Sequence, residues 1–291
     1  MSDPLRLLCV HAHPDDEASK GAATVAKYAA EGIPATLVCC TGGEAGEILN
    51  AAVDTPGNRE RLGELRLEEL AASVDIIGYD RLDLLGYHDS GMPDTPVNER
   101  SDNFWNAPLD EATEALVRIV RRDRPQVLVT YADDQRNYAH PDHLKVHEIS
   151  VAAFARSGDP EWYPEAGDPW EPAKLYYSTW SKRRMFALHA RFVELGLESP
   201  FDDEWLAKVE QFSQDDRITT QVDVGEFYGV REAALRAHAT QVDPDSPFWF
   251  GLPGDEVVAL HPWDDYILAE SRVSTVLPED DLFAGVDGRE R

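Results

Sequence analysis

The chain has 291 residues, 43% hydrophobic and 9% aromatic, which is enough apolar material for one large α/β domain or two small ones and too much for a disordered chain. Its 55 acidic against 27 basic residues give a formal charge of -28, which argues against a nucleic-acid backbone or an anionic membrane as partner. The first residues lack the charged and apolar regions of a signal peptide, and no run approaches about 18 apolar residues, so a soluble cytoplasmic protein is expected.

From the N-terminus, Leu5-Arg6-Leu7-Leu8-Cys9-Val10 reads as a buried strand, and Ser19 to Glu31 as an Ala-rich amphipathic helix closed by Gly32. Between them stands His11-Ala12-His13-Pro14-Asp15-Asp16-Glu17, a turn stiffened by its proline. In an open α/β sheet, ligands bind outside the carboxyl ends of the strands, which is where this turn falls. A helix N-terminus that favours acids would account for Asp15, Asp16 and Glu17, but not for the histidines. Ala35 to Thr41 is a second buried strand that opens into Gly42-Gly43-Glu44-Ala45-Gly46-Glu47. That turn lacks the G-x-G-x-x-G spacing of a dinucleotide site and reads as a pocket rim. Cys9, Cys39 and Cys40 all fall in these strands, which points to reduced structural thiols in a reducing compartment rather than zinc ligands.

Arg59 to Ile77 is a long helical pattern, and Arg66 within it reads on its own as a surface ion pair. A third strand, Arg81 to Leu85, leads into the polar run Gly86 to Pro93, and Pro96 to Pro108 is a polar loop of the length of a lid or rim. Leu109 to Arg122 is a helix and Val127 to Tyr131 a fourth strand. Its exit loop, Asn137-Tyr138-Ala139-His140-Pro141-Asp142-His143, runs into a helix that contains His147, with Pro141 suited to the first helical position. Lys174 to Trp180 is a fifth strand.

This alternation predicts an α/β fold with a Rossmann-like, doubly wound, mostly parallel sheet over residues 1–180. Residues 181–291 read as a helical C-terminal subdomain packed on that core, with helices over Ser181 to Leu195, Phe201 to Phe212 and Val230 to Ala239 and an extended piece at Ile218 to Val224. The acidic, Gly-rich tail from about Pro278 is expected to be disordered.

Of the nine histidines, five (His11, His13, His140, His143 and His147) lie in or just after the two polar turns. Two imidazoles and one carboxylate make the ligand set of a catalytic zinc, which keeps a position open; a structural zinc usually fills four positions with thiolates, and none neighbours these turns. Spare carboxylates and histidines would then serve as base and acid. The rival account holds the two turns together by His–Asp hydrogen bonds without metal. Spacing leaves the ligands open: His143 and His147 are i,i+4 on one helix face, while His140 and His143 can converge across Pro141.

The paired turns H-P-D-D-E and H-P-D-H closely resemble those of the PIG-L/LmbE-like zinc de-N-acetylases. Within that family the chain looks like the mycothiol S-conjugate amidases, through HAHPDDEASKGAA at 11–23, TGGEAGEILN at 41–50, HDSGMP at 88–93, YAHPDH at 138–143 and HATQVDP at 238–244. The segment 95–105 is shorter and less proline-rich than expected for those amidases. The resemblance implies zinc, with ferrous iron as the other candidate, held by His13, Asp16 and His143, and makes His147 an ordinary helix residue. It implies Asp15 as general base and His140 as the group that stabilises the oxyanion and protonates the leaving amine. It further implies Tyr138 polarising the amide carbonyl and Asp142 orienting His140. Lys20, at S-K-G-A-A, would face the conjugate arm, with Arg66, Asp89 and Glu47 gripping sugar and inositol hydroxyls. The implied partner is a small thiol–sugar conjugate, and the implied reaction is its hydrolysis to an N-acetylcysteine S-conjugate and glucosaminyl-inositol. The same chemistry on N-acetylglucosaminyl-inositol is the alternative. A noncatalytic sugar-binding module is disfavoured by the intact Asp15 and His140.

Overall fold

The computed structural model describes residues 4–136 and 138–286; the first three residues, Asn137 and the last five lie outside the described residues. Its strands are β1 Leu7–His11, β2 Ala35–Thr41, β3 Arg81–Tyr87, β4 Val127–Tyr131, β5 Lys174–Thr179, β6 Thr220–Asp223 and β7 Trp263–Ser271. The helices are α1 Asp16–Ser19, α2 Ala22–Ala30, α3 Pro56–Glu60, α4 Leu62–Ile77, α5 Leu109–Asp123, α6 Pro141–Arg156, α7 Lys182–Glu194, α8 Asp203–Gln211, α9 Tyr228–Ala237, α10 Pro247–Phe250 and α11 Gly254–Leu260.

Strands β1, β2 and β4 are buried at every position, which is what unbroken runs such as Ala35–Thr41 should give when helices cover both faces of a parallel sheet. The seven strands lie in the order β3-β2-β1-β4-β5-β7-β6, parallel from β3 to β5. Alternate residues of β1 feed two cores: Leu7 and Cys9 pack with α2, α4 and α9, and Leu8 and Val10 with α5 and α6. The winding reverses between β1 and β4, so a crevice opens where their carboxyl ends diverge, and both histidine turns leave from there. Cys9, Cys39 and Cys40 are buried and unpaired, and no helix among the described residues is long and apolar enough to cross a membrane.

Several expectations need correction. The helix expected over Ser19 to Glu31 is broken at Gly21, whose φ of 90° is left-handed and where a Cβ would stand 3.1 Å from the Tyr266 hydroxyl. The helix expected from Arg59 is likewise two pieces, parted at Arg61. The C-terminal region is not purely helical: β7 runs antiparallel to β5, β6 pairs antiparallel to β7, and together they complete the sheet. Nor is the tail disordered through residue 286. Leu282 and Phe283 are fully buried, and Glu279 receives hydrogen bonds from Lys174 Nζ and Tyr176 Oη, each at 2.6 Å. Helices α7, α8, α9 and α11 enclose a third apolar cluster built on Met185, Leu188, Phe192, Phe201 and Leu206, which walls one side of the crevice.

Candidate metal centre and cleft

The turn after β1 is tied on both sides. Ala12 N–H donates to Tyr131 Oη at the end of β4 (3.0 Å), and Ala12 C=O accepts from Thr41 N–H at the end of β2 (2.9 Å). Asp15 is held in the left-handed region at φ 111°, where a non-glycine residue costs on the order of 1–3 kcal/mol. Two side chains hold it there. Asp15 N–H donates to Glu17 Oε2 (2.9 Å), and Arg66 Nη2 donates to both the Pro14 carbonyl (2.6 Å) and Asp15 Oδ2 (2.9 Å), while Nη1 takes the Gly43 carbonyl (2.6 Å). Arg66 is therefore buried and committed to this turn, although it also borders the cleft. The surface ion pair with Glu69 that its spacing suggested does not form: Glu69 instead accepts from Thr240.

His13, Asp16 and His143 are buried and bring one ligand atom each to within 4.8 Å of one another. Asp16 Oδ2 lies 3.4 Å from His13 Nδ1 and 3.4 Å from His143 Nε2, while Oδ1 accepts from Lys20 Nζ at 2.6 Å. His13 Nε2 meets Asp142 Oδ2 at 3.2 Å, so the ring can donate there and keep Nδ1 free as a ligand. The His143 ring stacks on Tyr131 at 4.3 Å. Burial lowers His143 to about 4, which keeps its imidazole neutral and able to bind metal. Burial opposes the Asp16 carboxylate, but Lys20 and then His143 hold it well below the usual range. Burial also works against a charge on His13, yet Asp142, Asp16 and Asp89 hold its affinity for a proton well above the ordinary value, so the cluster favours a cation at this point. Two imidazoles and a carboxylate, all bordering the cleft, fit a divalent metal. His147 takes no part: its Nδ1 pairs with the Tyr131 carbonyl (3.1 Å) and its ring packs on Tyr177.

His140 is the N-cap of α6, where its Nδ1 accepts from Asp142 N–H (3.2 Å), so the neutral ring carries its proton on Nε2. The Asp142 carboxylate stands within 4.8 Å of a His140 ring nitrogen without a hydrogen bond to it; Ser90 donates to it through both Oγ and N–H, and His13 Nε2 meets its Oδ2. Proline at the first helical position turns the Asp142 side chain inward, and its backbone is what meets His140. Asp89 Oδ1 lies 3.6 Å from His13 Nε2 and accepts from Gly91 N–H (2.8 Å). Tyr138 is 56% exposed over the cleft, with its ring edge-on to His143 at 5.5 Å. Lys20 bends back on to Asp16 instead of extending across the mouth. Glu47 is exposed and does not border the cavity, its carbonyl held by Gln241 Nε2 (3.0 Å).

Sequence reasoning missed a buried pair. Glu17 Oε1 accepts from Ser73 Oγ (2.5 Å) and pairs with His238 Nε2 (2.6 Å), and neither Glu17 nor His238 is exposed. His238 opens the HATQVDP segment, so a signal was present, but nothing in sequence marks a contact across 221 positions. It also missed the far wall of the cleft. The cavity holds about 780 Å³, and beyond the polar cluster it is faced by Trp180, Trp205, Phe248 and Trp249. The loop from Pro96 to Pro108 stays outside it, pinned by the buried Phe104 and by Asn103, so it is an outer rim rather than a lid.

The family model described as PIG-L: GlcNAc-PI de-N-acetylase matches residues 8–154. The chain is 43% identical over 295 residues to the mycothiol S-conjugate amidase of Streptomyces coelicolor, covering 98% of this chain and 99% of that protein. It is 42% identical over 291 residues to the 1D-myo-inositol 2-acetamido-2-deoxy-alpha-D-glucopyranoside deacetylase of Streptomyces avermitilis, covering 97% of each. Among solved structures, the N,N'-diacetylchitobiose deacetylase from Pyrococcus horikoshii superposes with a TM-score of 0.62 at 16% identity, over 91% of this chain and 84% of that one, a likeness of fold.

Proposed function

The chain belongs to the PIG-L family of amide-bond hydrolases, and from that premise we propose that it is a zinc amidase that cleaves mycothiol S-conjugates to an N-acetylcysteine S-conjugate and glucosaminyl-inositol. The observation that carries the choice of substrate is the cleft itself. An acetyl group needs only a small acyl pocket, whereas here about 780 Å³ opens beside the metal ligands on to Trp180, Trp205, Phe248 and Trp249. Aromatic faces of that kind suit the apolar substituent of a thioether and add little for a sugar or an acetyl group. The three reduced cysteines suit a cytoplasmic reaction.

In this reading His13, Asp16 and His143 hold zinc, which when bound polarises the amide carbonyl and eases deprotonation of water. Asp15 takes the proton from the attacking water. Its strained backbone aims the carboxylate, and Arg66 works against the burial that raises its pKa. Tyr138 and His140 donate to the carbonyl oxygen as negative charge develops on it. As the carbon–nitrogen bond breaks, His140 gives its Nε2 proton to the amine nitrogen and regains the one that Asp15 took from water; the proton of the new acid follows to the amine, leaving a carboxylate and an ammonium. Asp142 and Ser90 hold His13, Lys20 holds Asp16, and Asp89 takes hydroxyls of the sugar.

Two readouts test this. Elemental analysis of the purified protein is expected to give about one divalent metal per chain, with chelation lowering the Tm and His143→Ala abolishing the chelation effect. Mass spectrometry of an S-conjugate digest is expected to give glucosaminyl-inositol and the acid in equal amounts. A metal-replete protein that leaves S-conjugates intact but deacetylates N-acetylglucosaminyl-inositol would overturn the substrate and keep the chemistry.

A further inference from the structure

Beside the cleft lies a smaller cavity of about 40 Å³. The two share Ser19, Trp180, Leu235, Phe248 and Trp249 as lining, so the small cavity continues the aromatic end of the large one. Its deeper wall adds Arg184 from α7 and Tyr228 and Arg231 from α9, set among apolar side chains of the third core cluster. A pair of guanidiniums is an unusual lining for an apolar recess.

Their partners do not account for them. Arg231, 4% exposed, pairs through Nη2 with Asp264 Oδ1, and the other Asp264 oxygen already accepts from Thr24 N–H (3.3 Å) and Oγ1 (2.8 Å). Asp265 is taken by His261 Nε2 (2.8 Å) and Gln221 Nε2 (2.7 Å). Arg184 forms no ion pair among the described residues within 4.0 Å. Three N–H groups on residues of this wall, Trp180 Nε1, Arg184 Nε and Arg231 Nε, are buried and have no acceptor among the described residues. A buried donor left without an acceptor is destabilising, and more so where the donor is charged. Burial, and then the neighbouring charge of Arg231, lowers Arg184 to about 10, against smaller opposing contributions from Tyr228, Asp264 and Asp265. The cavity wall thus gathers three N–H groups without an acceptor and, in Arg184, a guanidinium with no carboxylate in contact, beside the Arg231–Asp264 pair.

We propose that this cavity is an anion subsite in which Arg184, Arg231 and Trp180 bind a carboxylate carried at the end of the substrate's thioether arm. The inference rests on the S-conjugate reading and narrows it to conjugates whose apolar substituent ends in an acid. A water occupies about 10–15 Å³ of such volume, so 40 Å³ admits roughly three heavy atoms, the size of a carboxylate. The planar fork of arginine matches two carboxylate oxygens, and the indole N–H adds a third donor. The aromatic walls that lead to it, Trp180 and Trp249, accommodate the apolar part of the arm.

The test uses two product analogues, N-acetyl-S-(4-carboxybenzyl)cysteine and N-acetyl-S-(4-methylbenzyl)cysteine, which differ only in the distal group. Calorimetry on the metal-loaded protein is expected to give at least about tenfold tighter binding of the carboxylate. Arg184→Gln is expected to bring that ratio close to one, and Arg184→Lys to restore part of it. Trp180→Phe, which keeps the charge and the ring, is expected to lower the ratio partly and serves if the arginine variants do not fold. Equal affinities in the wild type, or a tenfold ratio that survives Arg184→Gln, would overturn the proposal. Acetate titrated alone separates the two sources of the anion. Millimolar acetate that binds through Arg184 while the analogue ratio stays at one would make this a free-anion site and overturn the role of the arm. Because binding is read without turnover, the two readings fail separately. Intact S-conjugates with the ratio preserved would remove the proposed reaction and leave the subsite, while efficient hydrolysis with a ratio of one would remove the subsite alone.

Discussion

Replacing Arg66 by methionine separates two roles for that side chain. The resemblance places it on substrate hydroxyls, whereas its guanidinium here makes three hydrogen bonds to the Pro14–Asp15 turn and to Gly43. Methionine fills similar space and strands the Pro14 carbonyl and the Asp15 carboxylate, while the Gly43 carbonyl keeps the hydrogen bond it accepts from Gly46 N–H (3.2 Å). At about 1–3 kcal/mol for the stranded carbonyl, with a smaller share for Asp15 because its side chain is 30% exposed, the loss of stability should be roughly 1.5–4 kcal/mol. With its holder gone, the strained Asp15 should lose aim, and a misplacement of about 1 Å lowers kcat by on the order of 10². Burial raises the Asp15 carboxyl and Arg66 opposes it, so removing the arginine raises it further. A base works only when ionised, so the acid limb of kcat/KM must move to higher pH. Denaturant unfolding and pH profiles of kcat/KM, with Arg66→Lys as the partial rescue, measure all three. A variant whose KM rises while kcat, the acid limb and stability stay put would show that Arg66 grips substrate, refuting the positioning argument.

Three further outcomes follow from the same geometry. Asp15→Ala should keep its metal and lose about 10²–10⁴ in turnover, whereas Asp16→Ala should lose the metal as well, a difference read by elemental analysis beside kinetics. Lys20→Met frees Asp16 Oδ1, so metal affinity should fall by about 10–100-fold and turnover on S-conjugate and acetylated sugar should drop alike; a loss confined to S-conjugates would return Lys20 to the substrate arm. His238→Ala leaves Glu17 buried without its charge partner, which should cost about 3–5 kcal/mol in denaturant unfolding, and an unchanged midpoint would show that the pair is not a stabilising tie.

The parts of the site that lie close together in sequence were legible. His13, Asp15 and Asp16 share one turn and His140, Asp142 and His143 another, and the strands ahead of them are apolar runs that only a parallel, two-sided sheet buries. What stayed hidden depends on distant pairing. Strand β7 carries two aspartates that break its apolar pattern, because Asp264 and Asp265 are neutralised by Arg231 and His261 rather than by solvent. The link from Glu17 to His238 has no local signature, and the guanidinium of Arg184 reads in sequence as one of four lysines and arginines on a surface helix. Lys20 carried a second signal: its i,i+4 spacing from Asp16 already pointed to the ion pair that it forms at the edge of the cleft. The tail misled through composition, since Glu279 is acidic yet buried against Lys174.

The most direct test of the account is the ratio of kcat/KM for a mycothiol S-conjugate to that for N-acetylglucosaminyl-inositol, measured side by side on one metal-replete preparation. An aromatic-walled cleft that contributes even about 1.4 kcal/mol to the transition state of the conjugate predicts a ratio of about ten or more. A ratio below one would contradict the claim that this cleft is shaped for a thioether arm, and would make the chain a deacetylase that acts through the same residues.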